Sequence, residues 1–97
     1  MNKEDIKNAV LLNGAKCETK QQLLEYFSEK LDFPDYFHPN WDSFEEILND
    51  IEINSLVIIY NFDKCLINET ENLETFKDII NQYNTKKTIF YFLKSNF

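Results

Sequence analysis

Glycine is almost missing from this chain: Gly14 is the only one among 97 residues. A phosphate-cradling loop needs several glycines, so that backbone amides can close on the anion at a helix N-terminus. Nucleotide binding of the P-loop or dinucleotide type is therefore excluded. Histidine also occurs once, at His38, so no Ser-His-Asp or Cys-His arrangement is legible and no partner ligands at metal spacing accompany it. The two cysteines, Cys17 and Cys65, are far apart and lack C-x-x-C spacing. They suit free thiols in a reducing compartment better than a disulfide framework. No apolar run approaches the roughly 20 residues that span a bilayer. The opening MNKEDIKNAV lacks the basic stretch and apolar run of a secretory signal. These absences predict a cytoplasmic protein that uses no cofactor.

Basic residues are scarce as well. Ten Lys and Arg stand against seventeen Asp and Glu, a formal charge of -7. Such a chain repels phosphate backbones and anionic lipid, so nucleic acid and membrane are poor direct partners. A basic protein is the natural electrostatic counterpart, although the same charge also keeps a small domain soluble. Hydrophobic residues at 43% and aromatics at 15% supply a core and argue against disorder. The length predicts one domain over residues 1–97.

Ala9 to Leu12 is a short apolar run stopped by Asn13-Gly14, which predicts a strand. Thr19-Lys20-Gln21-Gln22 fits a capping box. Behind it Leu23, Leu24, Phe27 and Leu31 recur at helical spacing until Phe33-Pro34 ends the helix. A second helix starts near Asn40 to Asp42, with Asn40 as N-cap or Asp42 and Glu45 as a box one turn in. Phe44, Ile47, Leu48 and Ile51 form its apolar stripe. Leu56 to Tyr60 reads as a strand covered on both faces. A polar loop with Asp63 and Lys64 follows. A long helix then opens around Asn68 or Thr70, burying Leu73, Phe76, Ile80 and Tyr83. Asn84 to Lys87 breaks it, and Thr88 to Leu93 is the last strand. The order β-α-α-β-α-β predicts an α/β fold, a small three-stranded parallel sheet with crossover helices.

The second helix concentrates acid. Asp42 and Glu46 are four apart, as are Glu46 and Asp50, so they stack on one face with Glu45 beside them. Each like-charge pair costs about 0.2–0.5 kcal/mol. Asp42 regains part of this from the helix N-terminus, but Glu46 and Asp50 sit too deep. A solvated face in an acid-rich chain is the plain alternative. Aromatics tilt the balance: Tyr36, Phe37 and Trp41 crowd around Pro39, and so short a connection cannot point all three inward. A Tyr or Trp exposed beside carboxylates has the composition of an interface anchor. Carboxylates that stay ionised together on an open helix are poorly arranged for acid–base catalysis, so an enzyme is not expected. A hard divalent ion between Asp42 and Glu46 would want more oxygen ligands from converging segments.

The stretch Pro34, Tyr36-Phe37, Asn40-Trp41-Asp42, Ser43-Phe44, Glu45, Glu46 and Leu48 resembles the barstar-like family, small cytoplasmic inhibitors of secreted bacterial ribonucleases. The resemblance extends more loosely to the opening strand with Asn-Gly, the helix after it and the closing strand. It implies a three-stranded parallel sheet with packed helices, and a loop and helix that plug a ribonuclease active site, with acids in place of RNA phosphates. Carried over, it implies partner-binding roles for Tyr36, Asn40, Trp41, Asp42, Glu45 and Glu46. Gln82 on the last helix falls where an acid is usual. Glu46 stands in place of a typical Asp, His38-Pro39 in place of a usual Gly, and Glu45 where an aromatic occurs in a well-known relative. The implied partner is a basic bacterial ribonuclease or related nuclease toxin. The competing readings are a barstar-like interaction or immunity domain with a non-barnase target and, third, a carboxylate–metal hydrolase.

Overall fold

The structure is a computed structural model that describes residues 9–51, 53, 55–86 and 89–95. Three parallel strands, β1 (Val10–Asn13), β2 (Val57–Tyr60) and β3 (Phe90–Phe92), lie in the order β1-β2-β3. Helices α1 (Lys20–Lys30) and α2 (Trp41–Asp50) connect the first pair, and α3 (Thr70–Lys86) connects the second. The α/β order β-α-α-β-α-β is thus the one the sequence predicts. β1 begins and ends one residue later than its apolar run. Of the predicted final strand, Phe90–Phe92 pairs, and Thr88 lies outside the described residues.

The register places Val10, Val57 and Phe90 in one row, then Leu11, Ile58 and Tyr91, then Leu12, Ile59 and Phe92. Alternate rows face opposite ways. Leu12, Val57, Ile59 and Phe90 are buried, whereas Leu11 is 61% exposed, and Tyr60 and Tyr91 are exposed too. The expectation that β2 is covered on both faces is therefore corrected. The cause is topological: the strand order never doubles back, and right-handed crossovers that step in one direction put every helix on the same face.

The helices close over that face with aromatic rings. Phe27 of α1, Phe44 of α2 and Phe76 of α3 are fully buried, with centroids 5.7 Å (27–44), 5.5 Å (27–76) and 6.1 Å (44–76) apart. Edge-on and offset ring pairs of this kind add roughly 0.5–1.5 kcal/mol beyond the area they bury. α1 carries the predicted box: Thr19 Oγ1 accepts from the Gln22 amide at 3.1 Å, and Gln22 Oε1 accepts from the Thr19 amide at 3.3 Å. It ends at Lys30, with Leu31 as C-cap and Asp32 left-handed at φ 55°.

The long third helix departs from its predicted end. It starts at Thr70, the later of the two expected positions, and continues through Asn84 and Thr85 to Lys86. Asn84 does not break it, because its side chain bonds outward. Its Oδ1 accepts from the Ile89 and Phe90 amides, both at 3.1 Å, and its Nδ2 donates to the Phe90 carbonyl at 3.0 Å. A residue read as a helix breaker instead fastens the helix to the start of β3. Phe76, Ile79 and Ile80 are its buried residues, while Leu73 and Tyr83 are half-buried.

Two short 3-10 turns, Gly14–Lys16 and Phe62–Lys64, follow β1 and β2 and press together at the carboxyl ends of the strands. A Cβ on Gly14 would lie 2.5 Å from the Asn61 carbonyl oxygen. Close backbone approach, and not an unusual φ, is why glycine stands there. Asn61 and Leu66 bracket the second turn in left-handed conformation, at φ 53° and 51°.

Candidate functional site

α2 is built to be held on one side only. Phe44, Ile47 and Leu48 are buried and Ile51, its C-cap, is half-buried. Asp42, Glu45, Glu46, Asn49 and Asp50 are all exposed on the remaining surface. Its N-cap is Asn40, whose Oδ1 accepts from the Ser43 amide at 2.8 Å. The alternative start, a box at Asp42 and Glu45, is not formed. Ser43 instead reaches back past the cap, its hydroxyl accepting from the His38 amide at 3.0 Å. Asp42 falls in the first turn, where the helix dipole favours an anion. No basic residue occupies the last turn, which carries Asp50 at the unfavourable end.

The approach to the helix is rigid. The Asn40 amide donates to the His38 carbonyl at 2.7 Å across Pro39. This i to i+2 bond closes a three-residue turn whose central φ suits proline. The Phe37 amide donates to the Pro34 carbonyl at 3.0 Å, making a second tight turn just before it. Between these turns the three aromatics divide. Phe37 packs on Phe33 at 5.0 Å and is half-buried, and Trp41 is half-buried against Phe44 and Phe76 at 5.9 and 6.1 Å. Tyr36 is 63% exposed. It is the aromatic that the short connection leaves outside.

Trp41 is also fixed by polar contacts. Its indole Nε1 donates to Asn72 Oδ1 at 3.0 Å. The Asn72 amide donates in turn to Glu69 Oε1 at 2.8 Å, and the same oxygen accepts from the Lys20 backbone amide at 2.9 Å. The starts of α1, α2 and α3 are thus tied together through Glu69 and Asn72. Spacing in the sequence carries no sign of this relay, because its members lie 31 and 49 residues apart.

Along the other flank, α3 packs against α2. A groove of about 300 Å³ between them is lined by Glu45, Leu48, Asn49, Ile79, Gln82 and Tyr83, among others. Gln82 and Glu45 therefore line the same groove, and both are exposed. Asp78, four residues earlier on the same helical face and also exposed, adds an acid that the sequence reading passed over. The i, i+4 spacing from Gln82 was the signal that could have found it. Tyr36, Asp42, Glu45, Glu46 and Gln82 all present exposed side chains. Asn40 is exposed as well but commits its Oδ1 to the helix cap, and the half-buried Trp41 commits its Nε1 to Asn72.

Among the described residues, no three His, Cys, Asp or Glu side chains converge in a way that would hold a metal ion, and no helix is long and apolar enough to cross a membrane. What the surface offers is fixed negative charge on a helix anchored from behind, with a protruding tyrosine at one end. No curated protein matches the chain significantly. Residues 8–93, nearly the whole chain, match the family described as Barstar (barnase inhibitor), a family of protein inhibitors that bind ribonucleases, and the chain belongs to it.

Proposed function

We propose that this protein is an intracellular, non-catalytic inhibitor of a basic ribonuclease, which it blocks by laying α2 and the loop before it over the enzyme's active site. The exposed acidic face of α2, backed by the buried Phe44, Ile47 and Leu48, carries this reading. Asp42 and Glu46 are the central anions, standing where RNA phosphates would meet the enzyme's cations. Glu45, Asp78 and Gln82 extend the surface across the α2–α3 groove, and Tyr36 packs against the rim of the partner. Asn40 and Trp41 hold this surface in shape through the cap and the Asn72 contact. Because the helix is preformed, little ordering is left to be done at docking, and the summed charge speeds encounter with a basic cleft.

Three residues favour a target other than a barnase-type enzyme within the same mode of inhibition. Pro39 stiffens the loop where the family resemblance implies glycine. His38 adds an imidazole there, and Glu46 reaches one methylene further than the usual Asp. The test is binding of purified basic ribonucleases, including a barnase-type enzyme and any nuclease toxin encoded beside this gene. The expected result is nanomolar or tighter affinity for one of them that weakens as salt is raised. Asp42→Ala and Glu46→Ala should each lose at least about 30-fold, the loss usual for a central interface anchor. The reading fails if both variants bind the protein's actual partner as tightly as the unaltered chain.

A further inference from the structure

Cys17 and Cys65 are distant in sequence but adjacent in the fold. Cys17 ends the turn after β1 and Cys65 ends the turn after β2. The Leu66 amide donates to the Cys17 carbonyl at 2.7 Å, which locks the two backbones side by side. Both side chains are buried in the same core and both are free thiols, and the Cys17 Sγ donates to the Asn13 carbonyl at 3.7 Å. Gly14 against Asn61, and the left-handed Asn61 and Leu66, keep the turns at this spacing.

We propose that Cys17 and Cys65 are a latent disulfide site, a pair that a small-molecule disulfide converts into one intramolecular bond without changing the fold. The exchange balances. One protein thiolate attacks the small disulfide, forming a mixed disulfide and releasing one small thiol. The second protein thiolate then attacks the protein-side sulfur and releases the other. Two protein thiols lose two protons and two electrons, and the small disulfide takes them up as two thiols.

Access sets the rate. The thiolate is the attacking species, and the neighbouring Cys17 side chain, followed by burial, holds the Cys65 thiol well above its ordinary range. The folded protein should therefore resist oxidation until the two turns open. Once formed, the bond closes a ring containing α1, the aromatic loop, α2 and β2. It restricts the unfolded chain and leaves the acidic face untouched.

The test oxidises the full chain with glutathione disulfide, once in native buffer and once near the denaturation midpoint followed by dilution into buffer. The expected product is a monomer about 2 Da lighter with a Cys17–Cys65 linked peptide. It should form slowly in native buffer and quickly near the midpoint. It should keep the circular dichroism of the reduced protein, and its thermal midpoint should rise by roughly 10 °C and fall back with dithiothreitol. Any of three results would overturn the proposal: glutathione adducts that persist at both cysteines, cross-linked dimers as the main product, or a closed monomer that melts below the reduced one.

Discussion

The turns after β1 and β2 and the loop before α2 solve opposite problems. The turns are held by contacts with each other, with β3 and with the segment after it. Asn13 Oδ1 accepts from the Ala15 amide and from Asn61 Nδ2, both at 3.0 Å, and Ser95 Oγ donates to Asn61 Oδ1 at 2.7 Å. Phe62 stacks on Phe92 at 4.2 Å. The loop and α2 are held from one side, and their other side carries like charges with no favourable end for Asp50. The comparison teaches where rigidity is needed: a recognition surface can carry repulsion provided that its backbone is fixed from behind and at its start.

The largest effect should come from removing that backing. Phe44 is fully buried and touches Phe27, Phe33, Trp41 and Phe76, so Phe44→Ala should cost about 3–5 kcal/mol. Chemical denaturation would show it as a large fall in midpoint. If instead the loss stays under about 1 kcal/mol, α2 is not seated as described. Next is Gly14→Ala. Its new Cβ would meet only backbone, the Asn61 carbonyl carbon and oxygen and the Tyr60 oxygen, which cannot swing aside as a side chain would. A destabilisation of about 1–3 kcal/mol is expected from such overpacking, with affinity for the nuclease unchanged once the protein is folded.

Much of the loop and helix was legible because its signals are local. The Thr19–Gln22 box, Asn40 as N-cap and the Phe44, Ile47, Leu48 stripe are patterns within one or two turns, where spacing decides geometry. What was missed depends on residues that only the fold brings together. The Trp41–Asn72–Glu69 relay and the Cys17–Cys65 contact span long separations. Asn84 looked like a breaker because its partner, the Ile89–Phe90 backbone, is not part of the helix pattern. The open sheet face was misread for a related reason. A run of five apolar residues predicts burial on both sides, but the number of covered faces is set by strand order, which no run of residues encodes. The placement of Asp42 and Glu46 on one face followed from spacing alone; their use is what the proposed inhibition assigns to them.

Asn40→Ala separates the two regions more gently. It removes one cap bond to the Ser43 amide, and about 1 kcal/mol is the usual cost. The same change should loosen the start of α2, so here stability and nuclease affinity fall together, unlike in Gly14→Ala. Asp63 marks the corresponding tie at the turns. The Ser95 amide donates to its Oδ1 at 2.7 Å and holds the carboxyl below its ordinary value. A depressed carboxyl adds stability that is complete above the unfolded pKa and is lost as pH falls through the folded one. Asp63→Asn should therefore lower stability slightly at neutral pH and leave it unchanged at strongly acid pH, a difference that denaturation curves at the two pH values would reveal.

The smallest effect has the most informative sign. Glu46 lies four residues from both Asp42 and Asp50 on an exposed face, and each like-charge pair costs about 0.2–0.5 kcal/mol. Glu46→Gln keeps the length of the side chain and relieves both pairs, so it should raise stability by a few tenths of a kcal/mol at low salt and less at high salt. The same substitution should weaken nuclease binding and flatten its salt dependence, because an anion that faces the enzyme's cations is gone. Opposite signs for stability and affinity at one residue are what a recognition surface produces and what a merely solvated acidic face does not. Were Glu46→Gln to leave affinity untouched while stabilising the fold, the acid at this position would be repulsion without a partner, and the working surface would have to centre on Asp42 and the α3 side of the groove.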